Sequence, residues 1–150
     1  MAIGERVEPG LPSALTQHVG YLSVVMGQLS QGRFEEAMAT LDLRPVHYDY
    51  LVTLAEAGPT AQKDLARLVE VDAARVVALT DELEERMLVQ RTVDPADRRR
   101  NLVSLTRAGR SLVTKAARLA ATVERELLAN LTVTEQATLR GLLQKATDLA

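Results

Sequence analysis

The sequence predicts a mainly α-helical fold with one short β-hairpin near its centre. Through most of the 150 residues, apolar side chains recur three and four positions apart, as they do on one face of a helix. Only residues 89–106 show the alternation of apolar and polar residues that is typical of strands. Aromatic residues make up 3% of the chain and tryptophan is absent, so Leu, Val and Ala must form the core. We expect one domain over residues 1–150, or one protomer of an intertwined oligomer.

The composition excludes several classes of function. Hydrophobic residues make up 47% and charged residues 25% of the chain, which is ordinary for a globular protein. Cysteine is absent, so disulfides, thiolate metal sites and thiol-based redox sensing are excluded. No apolar run approaches the roughly 18 residues that span a bilayer, and the N-terminus lacks the apolar stretch of a signal peptide. We therefore expect a cytoplasmic protein that has no membrane partner.

A long first helix is predicted between residues 11 and 41. Gly20, Gly27 and Gly32 weaken it, since glycine costs a helix about 1 kcal/mol relative to alanine. Glycines seven residues apart lie near one face, where a second helix could approach closely, or they mark a kink. The apolar residues keep helical spacing and are Leu15, Val19, Leu22, Val25, Met26 and Leu29.

A second helix is predicted for residues 46–57, after Pro45 has ended the first. It ends sharply at Gly58 and Pro59, because glycine tolerates the left-handed conformation beyond a helix and proline cannot continue one. Its apolar stripe consists of Val46, Tyr50, Leu51 and Leu54.

Two further helices are predicted in close succession. Thr60 is the expected N-cap of a short helix over residues 61–69, whose buried side contains Leu65, Ala66 and Val69. Asp72 is the expected N-cap of a helix over residues 73–86. About three residues separate the two helices, which matches a helix-turn-helix in length and spacing. The apolar stripe of the second helix consists of Val76, Val77, Leu79 and Leu83.

The β-hairpin carries the most concentrated positive charge in the chain. Asp94 and Pro95 begin a turn between two short strands, and Arg98, Arg99 and Arg100 follow at its tip. Residues 91–110 contain six arginines against two aspartates, although the whole chain has a net charge of −2. Three adjacent guanidinium groups gain little inside a monomer, so the hairpin is predicted to be a wing that contacts phosphates or a minor groove. The alternative is a solvated surface turn.

Helices are again predicted after the hairpin. Thr106 is the expected N-cap of a helix over residues 107–130. Thr132 and Glu135 form a capping box for a last helix over residues 134–149. The terminal helices, residues 11–42 and 107–150, flank a winged helix-turn-helix over residues 46–106 and have nothing large to cover within one protomer. We therefore expect them to bury their leucines against a second copy and to form a homodimer.

The chain resembles the MarR family of winged helix-turn-helix transcription regulators over about residues 15–148. The most specific feature is the pattern D-x-R-x-x-x-x-x-L-T in the wing. It is present here as Asp97, Arg99, Leu105 and Thr106, and Gly109 follows it as the family pattern requires. This order and spacing identify the chain as similar to that family.

Further family features lie upstream of the wing. Thr60, Leu65 and Ala66 match the family's T-x-x-x-x-L-A, and residues 71–89 resemble its recognition-helix stretch. One position departs from the pattern, because the family usually has glycine where this chain has Met87. A left-handed turn at that position costs methionine about 1 kcal/mol or more, so the angle of the wing is in question.

The resemblance implies that residues 73–86 enter the major groove and read base edges with their N-terminal half. Arg75 is the expected base contact, since arginine bonds guanine O6 and N7 together, although it could instead touch phosphate. Ala73 or Ala74 could pack on a thymine methyl group, Ala78 lies in the same turns, and Thr80 could reach a phosphate. The phosphate-binding candidates on the preceding helix are Thr60, Gln62 and Lys63, for which the alternative is simple capping and solvation.

The resemblance also divides the roles within the wing. Asp97 is expected to pair with Arg99 and fix the tip, which leaves Arg98 or Arg100 free for the minor groove. The expected flanking phosphate contacts are Arg91 and Arg107.

A ligand cleft is a further implication of the resemblance, because regulators of this family often bind a small aromatic or carboxylate effector between the dimerisation helices and the winged lobe. The candidates to line such a cleft are His18, Tyr21 and His47. Two histidines on different helices without clustered carboxylates make a poor metal site, so no metal and no cofactor are expected.

We therefore expect a homodimeric, sequence-specific regulator that binds a pseudo-palindromic operator in double-stranded DNA, and a repressor that a small molecule releases. One alternative is a winged-helix module that binds another protein through its arginines. The other is an all-helical enzyme, against which the absence of a triad, a phosphate-binding glycine loop or paired carboxylates argues.

Overall fold

Seven helices and a three-stranded sheet make up the part of the chain that the structure, a computed structural model, describes, residues 12–148. The predicted start of the first helix at residue 11 and the end of the last at residue 149 lie outside these residues. In chain order the elements are α1 (Ser13–Thr16), α2 (Val19–Ala39), α3 (Pro45–Ala57), β1 (Thr60–Ala61), α4 (Gln62–Leu68), α5 (Ala73–Glu85), β2 (Val89–Val93), β3 (Asn101–Leu105), α6 (Arg107–Leu127) and α7 (Val133–Ala146).

The predicted first helix is two helices, because His18 has extended backbone geometry, with φ −96° and ψ 120°, between α1 and α2. From Val19 onward α2 runs without interruption through all three glycines. A Cβ atom added at Gly20, Gly27 or Gly32 would meet nothing within 4 Å in this protomer. The glycine face of α2 is therefore open.

The wing is confirmed, and it belongs to a sheet with one more strand than predicted. β2 and β3 pair antiparallel from Val89 opposite Leu105 to Val93 opposite Asn101. The prediction that Thr60 is the N-cap of the next helix is wrong. Thr60 lies in β1 and pairs with Val103, so the sheet order is β1-β3-β2. Its hydroxyl donates to the carbonyl of Gly58 instead, at 2.9 Å, because backbone pairing with β3 holds the residue in extended geometry.

The core lies where α3, α4 and α5 meet the sheet. Tyr50 is fully buried, and its hydroxyl lies 2.5 Å from the Thr80 hydroxyl. Because the Thr80 hydroxyl donates to the Val76 carbonyl, it accepts from Tyr50. The other buried apolar side chains of this centre are Leu51, Leu54, Leu65, Val76, Leu79, Leu83, Val89 and Val103.

The terminal helices bury much less of their surface than the centre does. α2 packs along α6, where Ala116 is fully buried. Met38 is the one buried residue of α2, and none of the residues described in α7 is buried. Large apolar side chains remain exposed on these two helices: Val19, Leu22, Val24, Leu29, Val133, Leu142 and Leu143.

The N-terminus of α6 is pressed against the chain at the base of the wing. The Thr106 side chain accepts a hydrogen bond from the Gly109 amide at 3.0 Å and donates one to the Met87 carbonyl at 2.7 Å. A Cβ atom at Gly109 would lie 2.0 Å from the carbonyl oxygen of Leu88. No side chain fits into that distance, which explains why the L-T-x-x-G pattern ends in glycine.

Met87 adopts the left-handed turn that the family pattern assigns to glycine. Its φ is 57°, its amide donates to the Glu84 carbonyl at 2.8 Å, and the Leu88 amide donates to the Leu83 carbonyl at 2.9 Å. These two bonds form a Schellman end to α5. The wing base thus keeps the turn in spite of the methionine, whose side chain is 73% exposed and adds little packing in return.

We predict that Met87→Gly raises the free energy of unfolding by about 1 kcal/mol, because glycine adopts a positive φ without the steric cost of a Cβ atom. Urea denaturation of the two proteins measures the difference. Met87→Ala is the matched control, since alanine removes the long side chain but keeps the Cβ atom. Equal stability of the glycine and alanine variants would show that the turn stores no such strain.

Candidate nucleic-acid interface

The N-terminal half of α5 presents an exposed face. Asp72 caps the helix, as predicted, and its carboxylate accepts a hydrogen bond from the Arg75 amide at 2.8 Å. Ala73, Ala74, Arg75 and Ala78 are all exposed. The Arg75 guanidinium makes no ion pair within residues 12–148, so it is available to an outside partner.

Two predictions about α5 are wrong, because Val77 lies on its exposed side and Thr80 on its buried side. Val77 was assigned to the buried stripe, but it is 45% exposed and shares the outer face with the alanines. Thr80, a predicted phosphate contact, is fully buried against Tyr50 and also accepts a hydrogen bond from the Gln62 amide group at 3.1 Å. Helical spacing alone does not distinguish these positions, because a hydroxyl can replace an apolar group in the core when its hydrogen bonds are satisfied.

Three of the four acidic residues of α5 form ion pairs with arginines from other elements of the chain. Arg91, on β2, forms ion pairs with both Asp81 and Glu84, and its amide donates to Glu84 at 2.9 Å. Its guanidinium, a predicted phosphate contact, is 21% exposed and is thus largely committed to these two carboxylates. Glu82 is held 2.6 Å from Arg44. Asp81, Glu82 and Glu84 therefore face arginines that lie outside α5.

Side chains near the start of α4 differ in their exposure and in their hydrogen bonds. Gln62 is half-buried and tied to Thr80, whereas Lys63 is exposed. A cleft of about 680 Å³ separates this part of α4 from the tip end of the wing, at Arg100 and Asn101. Asp64 lies in it and pairs with Arg67 and, at 3.4 Å, with Arg100. The cleft thus gathers three cationic side chains around one carboxylate.

The wing tip is organised by aspartate side chains that bind backbone amides. Asp94 accepts from the Ala96 amide at 2.8 Å, and Asp97 accepts from the Arg99 amide at 3.0 Å. The predicted pairing of Asp97 with Arg99 therefore involves the backbone of Arg99 and not its guanidinium. Within the part of the chain that the structure describes, Arg98 and Arg99 have no carboxylate partner. Their charges point to an external anion.

The histidine of α3 belongs to a buried cluster at the foot of α5. His47 is 2% exposed, and its Nδ1 accepts a hydrogen bond from the Arg44 amide at 3.1 Å. Its Nε2 lies 2.7 Å from the Arg44 guanidinium, which can only donate, and 3.2 Å from a Glu82 carboxylate oxygen. Burial lowers the pKa of His47, because it disfavours the imidazolium more than Glu82 stabilises it.

The three predicted ligand residues do not share a cavity in this protomer. His47 uses both ring nitrogens within its own cluster, while His18 is exposed at the N-cap of α2 and Tyr21 is half-buried one turn later. A cleft of about 330 Å³ occurs elsewhere, with a lining that consists of Leu54, Ala55, Gly58, Pro59, Gln90, Ser104, Leu105 and Arg110. Within residues 12–148 no group of three or more metal-binding side chains is found, and no helix is long and apolar enough to cross a membrane.

Residues 43–100 match the model of the MarR family. The transcriptional repressor NicR of Pseudomonas putida is 28% identical over 91% of this chain and 87% of its own length. A MarR-family regulator from Rhodococcus sp. RHA1 is 31% identical, superposes with a TM-score of 0.74, and is matched over 90% of this chain and 97% of its own.

Two further solved structures concern the binding of a regulator to DNA or its control by a small molecule. A mutant of MarR from Escherichia coli in complex with operator DNA has a TM-score of 0.73 and 28% identity, over 85% of this chain and 92% of its own. BpsR from Bordetella bronchiseptica, whose DNA binding is regulated by 6-hydroxynicotinic acid, has a TM-score of 0.72 and 28% identity, over 86% of this chain and 98% of its own. These similar proteins are transcriptional regulators and not enzymes, as predicted.

We predict that His47 makes the stability of the protein fall as the solution becomes mildly acidic. The pKa of His47 in the folded chain lies below its ordinary value of 6.5. As the pH falls through 6.5, the unfolded chain takes up a proton that the folded chain does not, and unfolding becomes easier. Urea denaturation between about pH 7.5 and about pH 5 measures this loss.

His47→Gln is the control, because glutamine can accept from Arg44 and donate to Glu82 but does not titrate. The variant should lose less stability than the wild type over the same pH interval. The assignment to His47 would be refuted by parallel pH profiles of the two proteins.

Proposed function

This chain belongs to the MarR family of transcriptional regulators, and we propose that it is a cytoplasmic, homodimeric repressor that a small-molecule ligand releases from a pseudo-palindromic operator. The observation that carries the DNA contact is the pairing of two exposed elements: the outer face of α5, and a wing whose Arg98 and Arg99 lack acidic partners within residues 12–148. The complex of a similar protein with operator DNA supports the same partner.

The proposed DNA contacts divide by chemistry. α5 enters the major groove, where Arg75 bonds a guanine edge. The wing tip follows the backbone into the adjacent minor groove, which is electronegative and attracts arginine. Positioning contacts to phosphates come from Lys63 and from the wing. The full proposed set of DNA-binding residues is Thr60, Gln62, Lys63, Ala73, Ala74, Arg75, Ala78, Arg91, Asp97, Arg98, Arg99 and Arg100.

Two of these residues must change partners to reach DNA. Arg91 lies between Asp81 and Glu84, so its proposed part is to hold α5 against the wing and to mask those carboxylates, with phosphate contact secondary. Arg100 pairs with Asp64 at 3.4 Å across an exposed surface. Exposed ion pairs contribute at most about 1 kcal/mol, so a phosphate can displace Asp64 readily.

Dimerisation is proposed from the apolar side chains that one protomer leaves uncovered. Leu22 and Leu29 on α2 and Leu142 on α7 are each about half exposed, with exposed fractions of 48%, 49% and 61%. A second copy that covers both helices would bury them and would place two α5 helices on one duplex. Their separation must then match successive major grooves, roughly 34 Å apart.

Release by a ligand is proposed from the similar proteins. NicR is a repressor, and 6-hydroxynicotinic acid regulates the DNA binding of BpsR. We extend to this chain an effector of the same chemistry, a small aromatic carboxylate, that binds between the terminal helices and the winged lobe near His18 and Tyr21, while His47 stays buried in its own cluster. A few kcal/mol of preference for one packing of the helices is enough to shift the DNA-binding equilibrium.

We predict that the protein binds selected DNA through its wing. Sites are enriched from a randomised duplex pool, and affinity is then measured by mobility shift at several salt concentrations. Arg98→Ala/Arg99→Ala should weaken binding by about tenfold or more near 0.15 M salt and should lower the salt dependence, because two phosphate-neutralising charges are removed. Sedimentation of the complex should give two protomers per site.

The control is Arg118→Ala/Arg125→Ala, which removes the same charge from exposed positions of α6, with its oligomeric state checked. It should bind DNA as the wild type does. Enrichment of no sequence, or equal weakening by the two double variants, would reject the DNA-binding wing and favour a wing that binds an acidic protein surface.

We predict that 6-hydroxynicotinic acid or benzoic acid raises the unfolding temperature of the free protein and dissociates the DNA complex. The stabilisation follows from mass action, since a ligand that binds only the folded state favours it. 6-Hydroxynicotinamide, which lacks the carboxylate, is the matched control and should be weaker in both assays. Stabilisation without release of DNA would contradict the proposed link between the ligand and the operator.

A further inference from the structure

We propose that Val77 is a specificity-determining residue, which reads the 5-methyl group of thymine in the major groove. The inference rests on the proposed function and deepens it, because it assigns a base to a side chain that periodicity placed in the core. The starting observation is that α5 turns one of its two adjacent valines outward.

The two valines of α5 have opposite environments. Val76 is 1% exposed and lies in the core with Leu79, whereas Val77 is 45% exposed. The helix is therefore well packed on one side, and Val77 does not stabilise it by burial. An isopropyl group that remains in water gains free energy when a partner surface covers it.

The neighbours of Val77 determine what kind of partner surface fits. Ala73 lies one turn before it, and Ala74 and Ala78 flank it on the same exposed side. None of these four side chains has a polar atom. They are short, so the helix backbone could approach the base edges closely, and Val77 projects furthest among them.

Base edges offer only one apolar group to such a side chain. In the major groove guanine, adenine and cytosine present donors and acceptors, and thymine alone adds a methyl group beside its carbonyl. An apolar side chain against the other edges would displace water without replacing its hydrogen bonds, which is unfavourable. Val77 thus favours a thymine, and Arg75 is the nearby side chain that can bond a guanine.

Electrostatics permits this close approach. Asp81 is the next acidic residue along the outer side of α5, and it is paired with Arg91, which also holds Glu84. These two carboxylates are therefore compensated before DNA arrives. The apolar positions precede them at the positive end of the helix.

The test begins with the duplex that the wild-type protein selects from a randomised pool. Each thymine of the half-site is then replaced by deoxyuridine, which removes the 5-methyl group and leaves base pairing intact. We expect at least one position in each half-site where the substitution weakens binding by about fourfold, the effect of losing one buried methyl group.

Val77→Ala separates a direct contact from an effect of uracil on DNA shape. It should weaken binding to the thymine duplex and make the protein indifferent to deoxyuridine at the same position. Leu68→Ala, which shortens another exposed aliphatic side chain at the end of α4, is the control and should keep the full discrimination. Because Val77 is not part of the core, the variant should unfold at the wild-type temperature.

The outcomes distinguish failure of the role of Val77 from failure of the proposed function. A selected site that tolerates deoxyuridine at every position, or a Val77→Ala variant that still discriminates thymine from uracil, would overturn the role of Val77 and leave the regulator intact. Enrichment of no sequence would overturn the proposed function, and the inference with it.

Discussion

The carbonyl group of Leu88 is the point on which the geometry of α5, the wing and α6 depends. Its oxygen accepts a hydrogen bond from the Thr106 amide at 3.1 Å, and Gly109 approaches it so closely that a Cβ atom would lie 2.0 Å away. The amide of Leu88 closes the end of α5 by bonding to Leu83. One residue therefore joins the recognition helix, the wing and the long helix α6, and any change in its geometry alters all three.

Sequence reasoning succeeded where structure is determined locally. Asp72 and Thr106 cap their helices, and Thr132 with Glu135 forms the expected capping box, because a capping side chain bonds an amide only three residues away. The two wing strands followed from alternation and a turn. The left-handed Met87 could be anticipated only because the family pattern marked that turn.

The errors concern contacts between distant parts of the chain. Thr60 was taken for a cap, because no local signal shows that β3 offers it an open edge. Val77 and Thr80 were assigned to the wrong faces of α5. The Thr80 hydroxyl can lie in the core only because it is hydrogen-bonded to Tyr50, which is 30 residues away in the chain. The sequence likewise contains no sign that Arg91, on β2, pairs with Asp81 and Glu84 of α5, so this arginine was assigned to phosphate alone.

The Schellman end of α5 has a mechanical consequence. The helix is fixed at its C-terminal end, beside α6, and the residues proposed to read bases lie at the other end. With 13 residues, α5 is a lever arm of about 20 Å. If α6 tilts by about 5° and carries the Leu88 junction with it, the tip of that lever moves by about 2 Å, more than half the length of a hydrogen bond. A small rotation far from the DNA is thus amplified into loss of register with the bases.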